Sequence, residues 1–326
     1  MMVRIGILGC ARIAKAAMID AAPFVPGLEI AAVASRDGAK AAAFAAEHGI
    51  TASYDSYGAM LADPALDAVY IPLPSALHAD WAIAALKAGK AVLCEKPLAS
   101  NAADARRMAE TACSNGLSLM EAVHYRFHPL ARFVDDLLAA GRLGRIEAVE
   151  AGFEIPGTFV AADDIRFDAR LAGGAMMDVG SYCLGALRWV TGEEPIVLSA
   201  EADLAGPEID RGMRADFGFG SGAKGRVQAS LAAPRLRAWL TIRGALATLR
   251  IDNPFLPHLG NSAVMEVAGK VQTMTFDRTP TYVFQAAAFS RVVHGMEVPL
   301  IDLAGSIATM EGIDAVYRAA GLSPRG

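Results

Sequence analysis

Cysteine is scarce and never paired in this sequence. Cys10, Cys94, Cys113 and Cys183 lie far apart with no CxxC spacing, which removes both zinc-site spacing and the disulfide framework of a small secreted domain. No His, Cys and carboxylate cluster stands at ligand spacing, so no metal is expected. Long hydrophobic runs are missing too, since none approaches the roughly 18 apolar residues of a membrane span. Met1 to Cys10 holds one Arg and a short apolar run that soon breaks into Arg12 and Lys15. An export signal looks different, and the expected location is the cytoplasm, with reduced thiols. An excess of positive charge is also lacking. The 30 basic and 35 acidic residues leave −5, which gives no electrostatic footprint for nucleic acid or an anionic membrane.

What is present is apolar. Of 326 residues, 54 % are hydrophobic and 20 % charged, a balance that excludes disorder. The length suits two domains of ordinary size. Residues 3–8 form a short apolar run ending at Gly9, and Leu28 to Ala34, Ala68 to Ile71, Ala91 to Cys94 and Leu119 to Ala122 read as further strands. Helices are expected over Ile13 to Ala22, over Gly38 to His48 after an Asp37 cap, from a Ser75 cap through His78 to Ala88, and over Ala102 to Asn115. Strands alternating with helices imply right-handed crossovers and a parallel sheet.

After His124 the pattern changes. A helix from Pro129 to Ala140 precedes a strand-rich stretch with Gly, Pro and Asn turns. Two late helices follow, near Tyr282 to His294 and Leu303 to Ala319. Strands without intervening helices favour antiparallel pairing. The fold class is therefore α/β: a doubly wound, Rossmann-type parallel sheet over residues 1–123, then an α+β domain over 124–326 with a large, mostly antiparallel sheet.

Gly9-Cys10-Ala11-Arg12-Ile13-Ala14 joins the first strand to the first helix, where a dinucleotide pyrophosphate needs a tight turn and close backbone approach. Gly9 can supply the turn and Ala14 is small enough for close packing, while Ala11 replaces the usual second glycine. The second strand ends in Ser35-Arg36, with Lys40 one turn on. A carboxylate there would serve the ribose hydroxyls of NAD; a guanidinium grips a 2′-phosphate instead. The reading is NADP(H). Glu95-Lys96-Pro97 stands at the carboxyl end of a strand, the sheet edge where ligands bind. Gly173 to Tyr182 is a small-residue cluster in which Asp178 and Tyr182, four apart, share one helical face.

These motifs occur together, in order, with Met120-Glu121-Ala122 and Tyr125-Arg126-Phe127-His128-Pro129. The chain resembles the glucose–fructose oxidoreductase/inositol dehydrogenase (Gfo/Idh/MocA) family over essentially its whole length. It is most similar to the branch with NADP-dependent D-xylose 1-dehydrogenase and dimeric trans-dihydrodiol dehydrogenase. The resemblance implies a homodimer, or a dimer of dimers, formed through the C-terminal sheet. It makes Lys96 the active-site lysine, Tyr182 the proton-transferring residue and Asp178 an acidic substrate contact. Ser35, Arg36 and Lys40 match the 2′-phosphate contacts. Leu73-Pro74-Ser75 and His78 match the segment beside the nicotinamide ribose, and Arg166 and Tyr282 match outer cofactor contacts. Cofactor contacts are likewise expected from Gly9, Cys10, Ala11, Arg12, Ile13, Glu95 and Lys96. Ser75 stands where many relatives carry Asn.

The implied chemistry is hydride transfer between nicotinamide and a sugar, at C1 of a D-xylose-like aldose, or a cyclic diol. A tyrosine has an unperturbed pKa near 10, so acting near neutrality takes about 3 units, roughly 4 kcal/mol. A lysine ammonium about 4 Å away contributes on the order of 4 kcal/mol at an effective dielectric of about 20. Two other readings fit the cofactor loop: an oxidoreductase that keeps NADP(H) bound and shuttles hydride between two sugars, and an NADP-sensing regulator without catalysis.

Overall fold

Short apolar runs with no polar face can be satisfied only by burial on both sides. In the computed structural model, which describes residues 2–161 and 163–326, they become a parallel sheet. Its strands are β1 (Val3–Leu8), β2 (Leu28–Ala34), β3 (Ala52–Tyr54), β4 (Ala68–Ile71), β5 (Ala91–Glu95) and β6 (Leu119–Ala122). Their order is β3-β2-β1-β4-β5-β6, every pair parallel, which is the doubly wound arrangement. The helix Gly38–His48 is capped by Asp37, whose Oδ1 accepts the Lys40 N–H at 3.1 Å. Asn101 caps Ala102–Asn115 in the same way, at 2.9 Å from the Asp104 N–H.

Two local expectations are corrected, and two short elements went unread. The stretch expected as one helix over Ile13 to Ala22 is a single α-turn, Arg12–Ala14, followed by a π-turn, Lys15–Ile19, and a 3-10 turn, Ala22–Phe24. Ser75 opens a 3-10 turn rather than capping a helix; the α-helix starts at His78 with no side-chain cap. The three-residue β3 and the five-residue helix Tyr57–Leu61 were too short to show a period.

The chain forms two compact units. The first comprises Met1–His124 and Tyr282–Ile307, the second Tyr125–Thr281 and Ala308–Gly326. Residues 282–307 thus pack with the first unit, although they follow the second in the chain.

Among the described residues the second unit holds eight strands: β7 (Ile146–Pro156), β8 (Ile196–Gly206), β9 (Ile209–Gly218), β10 (Lys224–Ala233), β11 (Arg237–Gly244), β12 (Ala247–Asp252), β13 (Ser262–Val267) and β14 (Lys270–Met274). Their order is β14-β13-β12-β11-β7-β10-β9-β8. Only β7 and β10 pair in parallel; the other neighbours are antiparallel. Period-2 alternation sets the faces. Val149, Ala151, Phe153, Val227, Ala229 and Leu240 are buried. Glu150, Asp216, Arg226 and Arg243 lie on the other face, joined in Arg226–Asp216 and Arg243–Glu150 ion pairs.

Candidate functional site

All chain crossings of a parallel sheet leave from the carboxyl ends of its strands, so the loops after β1, β2, β4 and β5 lie along one edge. After β1, the Gly9 N–H donates to Ala34 O at 2.8 Å. Gly9 has φ +95°, and a Cβ there would stand 2.9 Å from Leu73 Cδ2, so turn and close approach both require glycine. Ala11 sits in ordinary extended backbone, φ −76° and ψ 144°; replacing the second glycine costs no backbone strain here. Cys10 Sγ points to Lys40 O at 3.8 Å. Burial pushes the Cys10 thiol up, and the Lys40 ammonium opposes this. Arg36 stands near the Tyr57 phenol, whose pKa is raised by burial and drawn down by that guanidinium. The structure thus gathers Cys10, Arg36, Lys40 and Tyr57, with Arg36 and Lys40 exposed. Ser35 is buried and its Oγ accepts the Asp37 N–H at 3.2 Å. No carboxylate ends β2.

The loops after β4 and β5 are tied together. His78 is buried, with Nδ1 3.0 Å from Pro97 O and Nε2 2.7 Å from Leu73 O. It is a strut between Leu73-Pro74-Ser75 and Lys96-Pro97, and burial lowers its pKa. Ser100 Oγ donates to Ser75 O at 3.3 Å. Glu95 ends β5 and accepts the Tyr70 hydroxyl at 2.6 Å, while its Oε2 accepts the Lys96 N–H at 3.2 Å. Lys96, half-buried, precedes a cis Pro97. Glu121 Oε1 accepts the Leu98 N–H at 2.9 Å. Burial pushes the Glu121 carboxyl up to about 7, against the hydrogen bond from the Leu98 N–H. Tyr282 packs on His124 at 4.5 Å between ring centroids; burial, then the Glu95 charge, raises its phenol.

In the second unit, Met176–Gly180 is a π-turn that runs into the helix Ser181–Thr191. Asp178 Oδ2 accepts from Arg166 Nε at 2.6 Å, and Arg166 Nη1 also reaches Asp164 at 3.1 Å. The Asp178 charge is the main reason the Arg166 pKa rises. Two candidate residues read separately from the sequence are thus one ion pair. Tyr182 is 8 % exposed and stands among aromatic rings: Phe153 and Phe255, each 5.5 Å away, and Tyr125 at 5.8 Å. A cavity of about 740 Å³ opens beside Val160, Asp164, Phe167 and Arg211. It touches the Arg166 ion-pair network through Asp164, but Asp178 and Tyr182 do not line it.

Sequence reading left Tyr57, Glu121 and Asp164 out of the candidate set. Only Glu121 had a signal, in its Met-Glu-Ala motif.

Residues 3–123 match the model of an oxidoreductase family with an NAD-binding Rossmann fold, and residues 131–250 match the GFO/IDH/MocA C-terminal domain. The chain is 40 % identical to D-xylose 1-dehydrogenase (NADP(+)) 2 of Haloferax volcanii, over 97 % of this chain and 96 % of that one. It is 34 % identical to trans-1,2-dihydrobenzene-1,2-diol dehydrogenase of Sus scrofa, over 69 % and 67 %. Among solved structures, a 3-ketoreductase from Actinomadura kijaniata in complex with NADP and TDP-benzene superposes with TM-score 0.89 at 29 % identity, covering 98 % of both chains. That ketoreductase has also been solved with one lysine replaced by alanine and with one tyrosine replaced by phenylalanine. The fold, the paired domain matches and near-full-length identity with named dehydrogenases agree: this chain is an oxidoreductase that belongs to the Gfo/Idh/MocA family.

Proposed function

We propose that this protein is an NADP(H)-dependent dehydrogenase acting on a CH–OH group, at C1 of an aldose such as D-xylose or in a cyclic diol, with Tyr182 as its proton-transfer residue and Lys96 as its assistant. One observation carries the reading. The glycine loop, the cationic pair Arg36 and Lys40, the Leu73-Pro74-Ser75 loop and Lys96 all leave the same carboxyl edge of one parallel sheet. The cradle at Gly9 and the cations beside Cys10, with no acid ending β2, suit a phosphorylated dinucleotide. Ser35, Arg36 and Lys40 would hold its 2′-phosphate. When bound, NADP(H) supplies or accepts the hydride.

The remaining chemistry falls to the chain. In oxidation the Tyr182 phenolate takes the hydroxyl proton and in reduction the phenol returns it. Lys96 favours the phenolate by charge, and Asp178, fixed by Arg166, orients substrate hydroxyls. The named relatives support sugar or diol substrates. The 1–123 segment is the cofactor side and the later α+β portion the substrate side. The protein works in the cytoplasm, its four cysteines free. It pairs as a homodimer, or a dimer of dimers, through the eight-stranded sheet, whose edge strand β8 leaves Ile196, Leu198 and Leu204 exposed.

The test is a screen of aldoses, inositols and trans-dihydrodiols with NADP⁺ and NAD⁺ separately, with size measured by sedimentation. Turnover is expected with NADP⁺ and an aldose or diol. Lys96→Ala and Tyr182→Phe should each lower kcat by about 10²–10⁴-fold while NADP(H) still binds. Wild-type rates in both variants would remove the mechanism.

A further inference from the structure

Far from the cofactor loops along the chain, the second unit buries a charged cluster that the mechanism above does not use. Asp210, at the start of β9, and Tyr317 are 0 % exposed, and Arg325 is 4 % exposed. Asp210 Oδ1 accepts from Arg325 Nη2 at 2.8 Å and from the Tyr317 hydroxyl at 3.0 Å. Its Oδ2 accepts the Met176 N–H at 2.7 Å. Arg325 Nε donates to Gly173 O at 2.9 Å, and the guanidinium lies over the Tyr317 ring, 4.1 Å from its centroid.

A buried ion pair is a poor device for stability alone, because well-packed apolar side chains serve as well without the desolvation cost. What it adds is direction. Here both charged groups end on the backbone of one turn, Gly173 to Met176. Gly174 lies in that turn with φ +128°, and a Cβ on it would collide with the Asp210 carboxylate and the Tyr317 hydroxyl. The same turn carries the neighbouring site residues. The Gly174 N–H donates to Arg166 O at 2.9 Å, and the Asp178 N–H donates to Gly174 O at 3.0 Å. Tyr182 follows one turn later, on the helix that the π-turn feeds.

We propose that Asp210, Tyr317 and Arg325 are positioning residues: a buried clamp that fixes the Gly173–Met176 turn and through it sets where Arg166, Asp178 and Tyr182 stand. This rests on the proposed role of Tyr182. Displacing a proton-transfer group by about an ångström costs on the order of 10²-fold in rate, so the clamp acts on kcat, while cofactor loops of the first unit are untouched.

A double-mutant cycle in the full-length protein tests it. Removing Arg325 alone strands a buried carboxylate, so the principal variant is Asp210→Asn/Arg325→Met, which removes both charges together. Tyr317→Phe, which deletes one hydroxyl, is the mild companion. The double variant should lower kcat at least about 10-fold, and Tyr317→Phe about 2–5-fold, with NADP(H) affinity within about twofold of wild type. Placed in a Tyr182→Phe background, the same substitutions should cost markedly less, because the proton-transfer group they position is gone and only the Arg166–Asp178 contribution is left to lose. An equal fold-loss in both backgrounds, or unchanged kcat in folded variants, overturns the clamp. If the double variant does not fold, Tyr317→Phe decides by the same cycle. Wild-type turnover in Tyr182→Phe alone is a separate failure, of the tyrosine's role itself, and the clamp falls with it.

Discussion

The loops at the carboxyl edge of the parallel sheet are tied mostly to neighbours 5 to 25 residues away, through His78, Glu95 and Glu121. The turn ahead of Asp178 and Tyr182 is tied to partners 34 and 152 residues away, Asp210 and Arg325. The loops of the first unit therefore take shape as successive strands pair. The turn ahead of Asp178 and Tyr182 is complete only when β9, the helix Leu303–Ala319 and Arg325 are all in place. One region follows from strand order and the other from long-range closure, which carries a larger entropic cost.

Matched glycine substitutions can break that contrast, and they carry the largest expected effect. Gly174→Ala forces a methyl group at φ +128° into the Asp210 and Tyr317 side chains. Strain and a disturbed buried ion pair together should destabilise by at least about 3 kcal/mol, read by urea unfolding, with kcat lost and NADP(H) affinity kept. Gly9→Ala, at φ +95°, meets the flexible end of Leu73. It should cost about 1–3 kcal/mol and weaken NADP(H) binding. Equal loss of cofactor affinity in the two variants would show that the two regions are not separately held.

Glu121 sharpens the local side of the comparison. Folded, its carboxyl keeps a proton up to about pH 7, against an ordinary value of 4.5. Between those values the folded chain binds the extra proton, so this group's contribution declines by about 3 kcal/mol as pH rises from 4.5 through 7. Glu121→Gln keeps an acceptor for the Leu98 N–H and removes the titration. The variant should gain stability relative to wild type as pH rises across that window. The difference between the two proteins isolates Glu121, since the lowered pKa values of His78, His128 and His258 act alike in both. A difference that is flat with pH would contradict the assignment.

Sequence alone reached most of the first unit because its signals are local. Apolar runs, the Asp37 cap and the glycines Gly49, Gly89 and Gly116 that close three of the helices all act within one turn. The two π-turns, Lys15–Ile19 and Met176–Gly180, left no such mark, because their i to i+5 bonding has no composition of its own. β14 is exposed along most of its length and so shows no alternation. The parallel pairing of β7 with β10 joins residues more than 70 positions apart, which no window reads. The place of Lys96 at the end of β5 was legible because strand, lysine and proline are adjacent. Asp210 and Arg325 were not, since each looks like a surface charge until the other is opposite it.

The smallest effect expected is at the surface. Arg36 and Lys40 are exposed, so the contact proposed between them and a 2′-phosphate is open to screening by water and salt. Arg36→Ala/Lys40→Ala should raise the dissociation constant for NADP⁺ about 10–100-fold at low ionic strength, as loss of one or two charge-assisted hydrogen bonds does. NAD⁺ binding should barely change, because it lacks the 2′-phosphate those cations are proposed to hold. The gap between wild type and variant should narrow as salt rises to about 0.5 M, where the Debye length falls to roughly 4 Å. The buried clamp at Asp210 should show no such salt dependence, because little screening reaches a pair closed off from solvent. A cofactor preference insensitive to salt would mean that selectivity comes from the buried Ser35 side of the loop rather than from the exposed cations.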